Sequence, residues 1–443
     1  MAFQQGLSGL NAASKNLDVI GNNIANSGTY GFKNSRAEFA DVYASALNGG
    51  GANQVGIGTS LQAVAQQFTQ GNITTTENPM DLAINGGGFS QVSDGVNPTR
   101  YTRNGEFKIS KDGFIVNNDG LKLMGYPANG AGVIQPGTAS PLQLPTGGIP
   151  PNVTTDVKIE FNLDSRTKTT APAGATGMDL KDSTTYNNAT SMTVYDAKGQ
   201  DVAVTFYFQK GETQPDGSDV WNVYATANGT PFDTNAEGSP ISLDANGNPV
   251  EPYTTITFPP TGGTPSGITG SATTPPGSIT MNVPAGVSAR GNTTLPITGI
   301  QLDLASATEN GSSFAVTNLT QDGYAPGQLS GIQVSNDGTI LARYSNGQSK
   351  PAGQVEVANF RNVQGLQPLG GNVWLRTVAS GDAVVGVPGD GNMGALQSGA
   401  LEESNTDITA ELVNMVTAQR AYQANAQTIK TQDQVLQTIV NLR

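Results

Sequence analysis

The sequence predicts a mainly β protein with a terminal α-helical coiled coil, its chain nested through several domains. Three observations carry that prediction. Gly supplies 56 of 443 residues, well above a usual share of about 7%, which suits many short strands joined by tight turns. Asn-Gly and Asp-Gly pairs recur through the middle of the chain at Asn85, Asp94, Asn104, Asp112, Asp119, Asn129, Asn228, Asn310, Asp322, Asp337 and Asn346. They are strong short-range hairpin signals, because a two-residue type I′ turn needs positive φ at both positions. At the two ends the apolar residues instead fall at alternating steps of four and three, the period of a helix packed on another helix.

The first helix begins at the N-terminus. Phe3, Leu7, Leu10, Ser14, Leu17, Gly21 and Ile24 hold the four–three alternation, and Ala13 and Ile20 widen the stripe. The last helix repeats the pattern through Ile408, Leu412, Met415, Gln419, Tyr422, Ala426, Ile429, Asp433, Leu436 and Val440. Ser404 and Asp407 read as a capping box before it. At 1.5 Å per residue the two make rods of about 33 and about 57 Å. Neither can bury its stripe alone, so the expectation is that they pair with each other and then with copies of themselves. A simple intramolecular helical hairpin is the plainer alternative.

Between the helices the pattern has period two. Val202, Val204, Phe206 and Phe208 face one way and Thr205 and Tyr207 the other, with Trp221 and Val223 continuing the theme. Boundaries appear as composition shifts. Asn48–Asn53 is Gly-rich, Pro136–Pro151 reads as a hinge, Pro259–Gly277 as a surface loop, and Pro284–Thr294 as the return crossing. The expected plan is a helical polymerisation domain at 1–29 and 405–443, a connector at 30–71 and 366–404, a β-rich inner domain at 72–150 and 295–365, and a β-rich outer domain at 151–294.

Composition excludes several function classes. A formal charge of −13 opposes nucleic acid and anionic membrane surfaces, both of which require a basic face. No run of about 20 apolar residues is present to span a bilayer. With no His and no Cys, neither a Ser–His–Asp nor a Cys–His arrangement can form. Gly56 and Gly58 open a dinucleotide-like loop, but Leu61 stands at the third glycine position. Asp244, Asn246 and Asn248 resemble half a calcium loop, but Pro249 replaces its Gly and Thr255 its Glu. That stretch reads as a turn. Glu402 and Glu403 are adjacent and sit beside the helix cap rather than in a cleft. The expectation is therefore no catalytic site, no metal and no cofactor. Phe206, Tyr207, Phe208 and Trp221 could form a sugar platform, but a sandwich core is the favoured reading. Residues 1–26 lack both a basic stretch and an unbroken apolar core, so a cleaved Sec signal is not expected.

The residues also carry a resemblance. Asn11-Ala12-Ala13, then Leu17 through Asn22-Asn23-Ile24-Ala25-Asn26, then Gly31-Phe32-Lys33, resemble the N-terminal signature of the bacterial flagellar rod and hook axial proteins. Ser404-Asn405, Ala410–Met415 and Gln419-Arg420-Ala421-Tyr422-Gln423-Ala424-Asn425 resemble their C-terminal signature. Asp81–Phe89 and Tyr101–Gly105 are similar to the inner domain of that family, with Ser90 departing from an expected apolar residue. Thr193-Val194-Tyr195-Asp196 with Gly199 is similar to the outer domain of its hook branch.

The resemblance implies a homopolymer of many copies, a curved hollow tube outside the cell that passes torque from rod to filament as a universal joint. It implies as partners the flagellar rod, the hook–filament junction proteins, a hook cap protein and the type III export apparatus. The implied polymerisation seam is Phe3, Leu7, Leu10, Leu17, Ile20, Ile24, Ile408, Leu412, Met415, Tyr422, Ile429, Leu436 and Val440. A distal rod or junction protein of the same family is the near alternative. A secreted β-rich hydrolase or adhesin is the remote one.

Overall fold

The computed structural model describes residues 2–42, 56–171, 177–271, 277–288 and 291–441. The Gly-rich stretch Asn48–Asn53 lies outside them, as does part of Pro259–Gly277. The chain divides into two compact units: Met1–Thr146 with Ser330–Arg343 and Ser349–Arg443, and Gly147–Leu329 with Tyr344–Gln348.

The first unit holds both helices, α1 (Ala2–Ala25) and α2 (Ile408–Asn441). After α1 comes an antiparallel hairpin of β1 (Ser35–Val42) and β2 (Gly58–Gln66), with a register shift between Glu38 and Phe39. The body is a large, mostly short-stranded sheet in which Phe89–Ser93 pairs with both Arg100–Thr102 and Lys122–Pro127. Val92, Phe107, Ile115, Leu123, Val355 and Val357 are buried in its core. A second cluster stacks Phe89, Tyr101, Phe360 and Trp374 edge to face, with Phe68 against them. Early and late chain are stitched together: Ile73–Thr75 pairs with Ala400–Glu402, and Leu82–Asn85 with Ala395–Ser398. These pairings bring the late chain back to the end of α1, where Asn23 bonds Glu411 and Gly31 N–H bonds Glu402 O.

The second unit is a sandwich. One sheet runs Asn188–Tyr195, Asp201–Lys210, Asp219–Ala227, Thr254–Phe258 and Gly267–Ile268, all antiparallel. The other is built on Asp156–Asp164, which lies parallel to Ile297–Asp303 and antiparallel to Ala315–Gln321. The period-two reading holds here: Val202, Val204, Phe206 and Phe208 are all buried, and Trp221 joins them between the sheets. Tyr207 faces the other way against Tyr186. Phe206, Phe208 and Trp221 thus fill a core, and Tyr207 lies outside it.

Two expectations need correction. The outer unit does not end at residue 294. Asp156–Asp164 alternates buried and half-exposed positions along its length, and its neighbours on both sides come from residues 297–321. Ending the unit at 294 would strip that central strand of its hydrogen-bond partners. Residues 284–288 and 291–294 lie outside the strands, within the unit.

The turns also differ from the type I′ reading. Among the pairs expected to form them, only Asn228–Gly229 has both residues at positive φ, 50° and 81°. Gly105, Gly130, Gly311 and Gly323 are not at positive φ at all, whereas at Gly113 and Gly338 the Gly alone is left-handed and its N–H reaches the carbonyl three residues back. That is a type I turn followed by one left-handed residue, the longer hairpin loop.

Candidate assembly surface

α1 packs on α2 through its small residues. A Cβ placed on Gly6 would stand 3.1 Å from Ile429 Cγ1, and one on Gly9 only 2.8 Å from the Asn425 amide. Ala13, Ile20 and Asn23 continue the buried stripe along α1. On α2 the facing positions are Glu411, Met415, Ala418, Asn425 and Ile429, with Ala418 buried outright. Small residues permit close approach of the two backbones and so define the line of contact.

The end of α1 is clipped by an amide. Asn23 donates from Nδ2 to Ser35 O at 2.8 Å and to Glu411 Oε1 at 3.1 Å, and its Oδ1 accepts Ser35 N–H at 2.9 Å. One side chain therefore joins α1, β1 and α2. Asn26 closes back on Asn22, bonding both its carbonyl and its side-chain oxygen. α2 is capped by Asp407, whose Oδ1 accepts from Thr409 N–H (2.8 Å) and Ala410 N–H (3.2 Å). Ser404 bonds Thr406 instead, so the expected box reduces to one capping carboxylate.

Below the helices sits a buried ion cluster. Glu402 Oε1 accepts from Lys33 Nζ at 2.5 Å and from Gly71 N–H at 3.0 Å, and Oε2 accepts from Arg103 Nη1 at 3.0 Å. Lys33 also donates to Thr69 O at 2.7 Å, and Arg103 to Ile84 O at 2.9 Å and Gly86 O at 2.5 Å. Burial pushes Lys33 below its ordinary pKa, against the pull of the Glu402 carboxylate, and burial likewise lowers Arg103. Gly31 is what lets the chain approach: it sits at φ 68°, where a Cβ would come within 2.5 Å of Asn104 N, and its N–H donates to Glu402 O at 2.7 Å.

Sequence reasoning singled out Lys33 within its motif but set Glu402 aside as lying beside the helix cap. No local signal marked it, because two buried cations call for an anion between them only once the fold has brought Lys33 and Arg103 together. Phe32 is half-buried next to Lys33.

The large aliphatics sit elsewhere. Phe3 and Leu7 on α1 and Ile408, Leu412, Val413, Val416, Val435 and Leu436 on α2 are all exposed, with Leu412 at 48% and Val413 at 62%. Leu10, Leu17, Ile24, Met415 and Ile429 are half-buried, Ile20 is buried and Tyr422 is exposed. Ala25, Gln419, Arg420 and Ala421 face solvent. The Val440 side chain lies outside the described residues. On β1 and β2, Phe39, Leu61 and Val64 are exposed as well. The single chain thus buries a small-residue stripe and leaves an aliphatic flank open, a pattern that marks an interaction surface.

Known proteins bear on this arrangement. Four family profiles match the chain in order: Flagella basal body rod protein (residues 3–33), Flagellar hook protein FlgE/F/G D1 domain (83–167), Flagellar basal body protein FlaE D2 domain (162–324), and Flagellar basal body rod FlgEFG protein C-terminal (397–442). The flagellar hook protein FlgE of Salmonella typhimurium is 40% identical over 445 residues, covering 100% of both chains. The chain belongs to the flagellar hook protein family.

Other hook proteins agree: that of Escherichia coli K12 is 40% identical over 448 residues, and that of Brucella suis 30% identical over 445 residues, covering 98% of the latter. The solved Helicobacter pylori flagellar hook protein FlgE2 aligns at 14% identity with a TM-score of 0.48, so the assignment rests on the sequence matches. The hook family is a structural one rather than an enzyme family. Its place is the flagellar hook and basal body, in a polymer of hook subunits. Among the described residues no helix is long and apolar enough to cross a membrane.

Proposed function

We propose that this hook subunit polymerises through the open flank of its terminal helices, Phe3, Leu7, Ile408, Leu412 and Leu436 above all, into a curved hollow tube that passes torque from rod to filament as a universal joint. The observation that carries the reading is the division of labour on α2. Ala418 and Asn425, with Met415 and Ile429, face α1, whereas Ile408, Leu412, Val413, Val416, Val435 and Leu436 stay exposed and are free to meet another chain. Burying a Leu or Ile side chain from half-exposure contributes roughly 1 kcal/mol. Five such side chains per subunit would contribute about 5 kcal/mol, and the contribution recurs with every copy along a lattice.

Residues 30–71 and 366–404 would act as the connector. Gln66 anchors its inner side, accepting Trp374 Nε1–H at 2.7 Å on its side chain and Gln364 Nε2–H on its carbonyl. The two β-rich units would make polar sliding contacts as the tube bends. The flagellar rod and the hook–filament junction proteins would meet the ends of the polymer. A hook cap protein would attend growth, and the type III export apparatus would deliver each subunit.

The test is Leu412→Asp. Electron microscopy of the concentrated protein should show tubes for the parent chain and none for the variant, while near-UV circular dichroism of the β units is unchanged. Tubes of normal length from the variant would defeat the proposal. Straight, short polymers from the parent chain would favour a distal rod or junction protein instead.

A further inference from the structure

We infer that Asn310 is a site of spontaneous backbone ageing, converting to aspartate and isoaspartate ahead of the other described Asn-Gly pairs. The chemistry needs no partner but water. The Gly N–H nitrogen attacks the Asn side-chain carbonyl carbon, ammonia leaves, and a five-membered succinimide forms. Water then opens the ring at either carbonyl, to aspartate or to isoaspartate, whose main chain is longer by one carbon. The step requires a free Asn side chain and a Gly nitrogen free to swing toward it, so folded geometry decides which pairs react.

Six pairs are restrained. Asn85 Oδ1 accepts from Gln70 Nε2–H, and Gly86 N–H donates to Gln70 Oε1. Asn104 is held at both ends by Glu106. Asn129 Oδ1 accepts from Ala131 and Val133 N–H. Asn228 Oδ1 accepts from Ala203 N–H. Gly247 N–H, after Asn246, donates to Asp244 O at 3.0 Å. Asn346 is bonded through Nδ2 to Ala325 O and through Oδ1 to Gln348 N–H.

At the seventh pair nothing holds the reacting atoms. Asn310 and Gly311 are exposed, and a Cβ on Gly311 would meet no atom within 4 Å. Among the described residues the Asn310 side chain and the Gly311 N–H have no hydrogen-bond partner. The position matters, because Asn310 O accepts Ser165 N–H at 3.0 Å and its strand pairs with Asp164. One residue earlier, Glu309 is buried with Oε1 accepting Trp221 Nε1–H at 3.0 Å. An inserted backbone carbon would pull at the edge of the sandwich core and add a negative charge there.

The experiment is to age the full chain under mildly alkaline conditions, in buffer and in strong urea, and to follow isoaspartate by methyltransferase labelling and peptide mass spectrometry. In buffer, Asn310 should gain one mass unit at least about fivefold faster than Asn246, the factor matching one retained hydrogen bond of ordinary strength. In urea the lead should vanish. Gly311→Ala, which has open space for its Cβ, should fold normally and lose the label. A folded chain in which any of the other six pairs keeps pace with Asn310, or a lead that persists equally in urea, overturns the inference. Asn48 lies outside the described residues and its rate does not enter the comparison.

Discussion

The buried cluster below the helices makes an unequal prediction for its three members. Lys33 and Arg103 carry two positive charges against the one negative charge of Glu402, with Lys33 and Glu402 side chains 1% and 0% exposed. Replacing Lys33 with Met therefore leaves a neutral Arg103–Glu402 pair, and Gly71 N–H still bonds Oε1. Its main loss is the donor to Thr69 O, about 1–2 kcal/mol. Replacing Glu402 with Gln leaves two cations buried together with no anion, a defect of about 3–5 kcal/mol.

A pH dependence separates the two further. Burial already pushes Lys33 below its ordinary pKa, so without the carboxylate it sheds its proton more readily still. The unfolded chain of Glu402→Gln then binds more protons than the folded one, and its stability rises with pH. Lys33→Met has no such group to release.

Urea unfolding of the first unit can be followed by Trp374 emission in a Trp221→Phe background, since the other Trp lies in the second unit. Equal losses for the two variants, or a Glu402→Gln penalty that does not shrink as pH rises, would refute the charge accounting.

Other outcomes follow from single positions. Glu356 is buried, and burial pushes its carboxyl up to about 7 from 4.5, although a Tyr126 hydrogen bond pulls the other way. Because the folded value is the higher one, its stabilising neutral form is fully present below about 4.5 and lost as pH rises through 7. The gap is worth about 3 kcal/mol, so Glu356→Gln should remove that slope from urea titrations across the window and stabilise the unit at pH 8. Gly21→Ala meets no atom within 4 Å and should stabilise α1 by about 1 kcal/mol. Gly9→Ala runs into Asn425 and should show no such gain in the far-UV ellipticity of the two helices under urea.

Much of the architecture was legible in the chain. The helix ends, the period-two strand around Phe206 and the Gly-rich turn grammar are local properties, set by backbone sterics and by which face must leave water. They predict a β body between two helices. Where the sheet partners come from is not local. That Ile297–Asp303 completes the sandwich rather than the inner unit is decided by the free edge of Asp156–Asp164, a hydrogen-bonding demand more than 130 residues away in the chain.

The helix pair shows the same limit. Sequence periodicity gives the four–three rhythm but not the phase: the bulkiest apolar residues suggest one stripe, whereas close approach of two backbones selects Gly6, Gly9, Ala13 and Ala418. The helix turns small residues inward, and the aliphatics are carried to the outside. Glu402 was unreadable for a related reason, since the need for a buried anion exists only once Lys33 and Arg103, 70 positions apart, have been folded onto one another. Sequence determined the elements and the family. Tertiary structure decided which faces meet and therefore which remain open to another subunit, because burial is a property of pairs of surfaces and no single segment contains both.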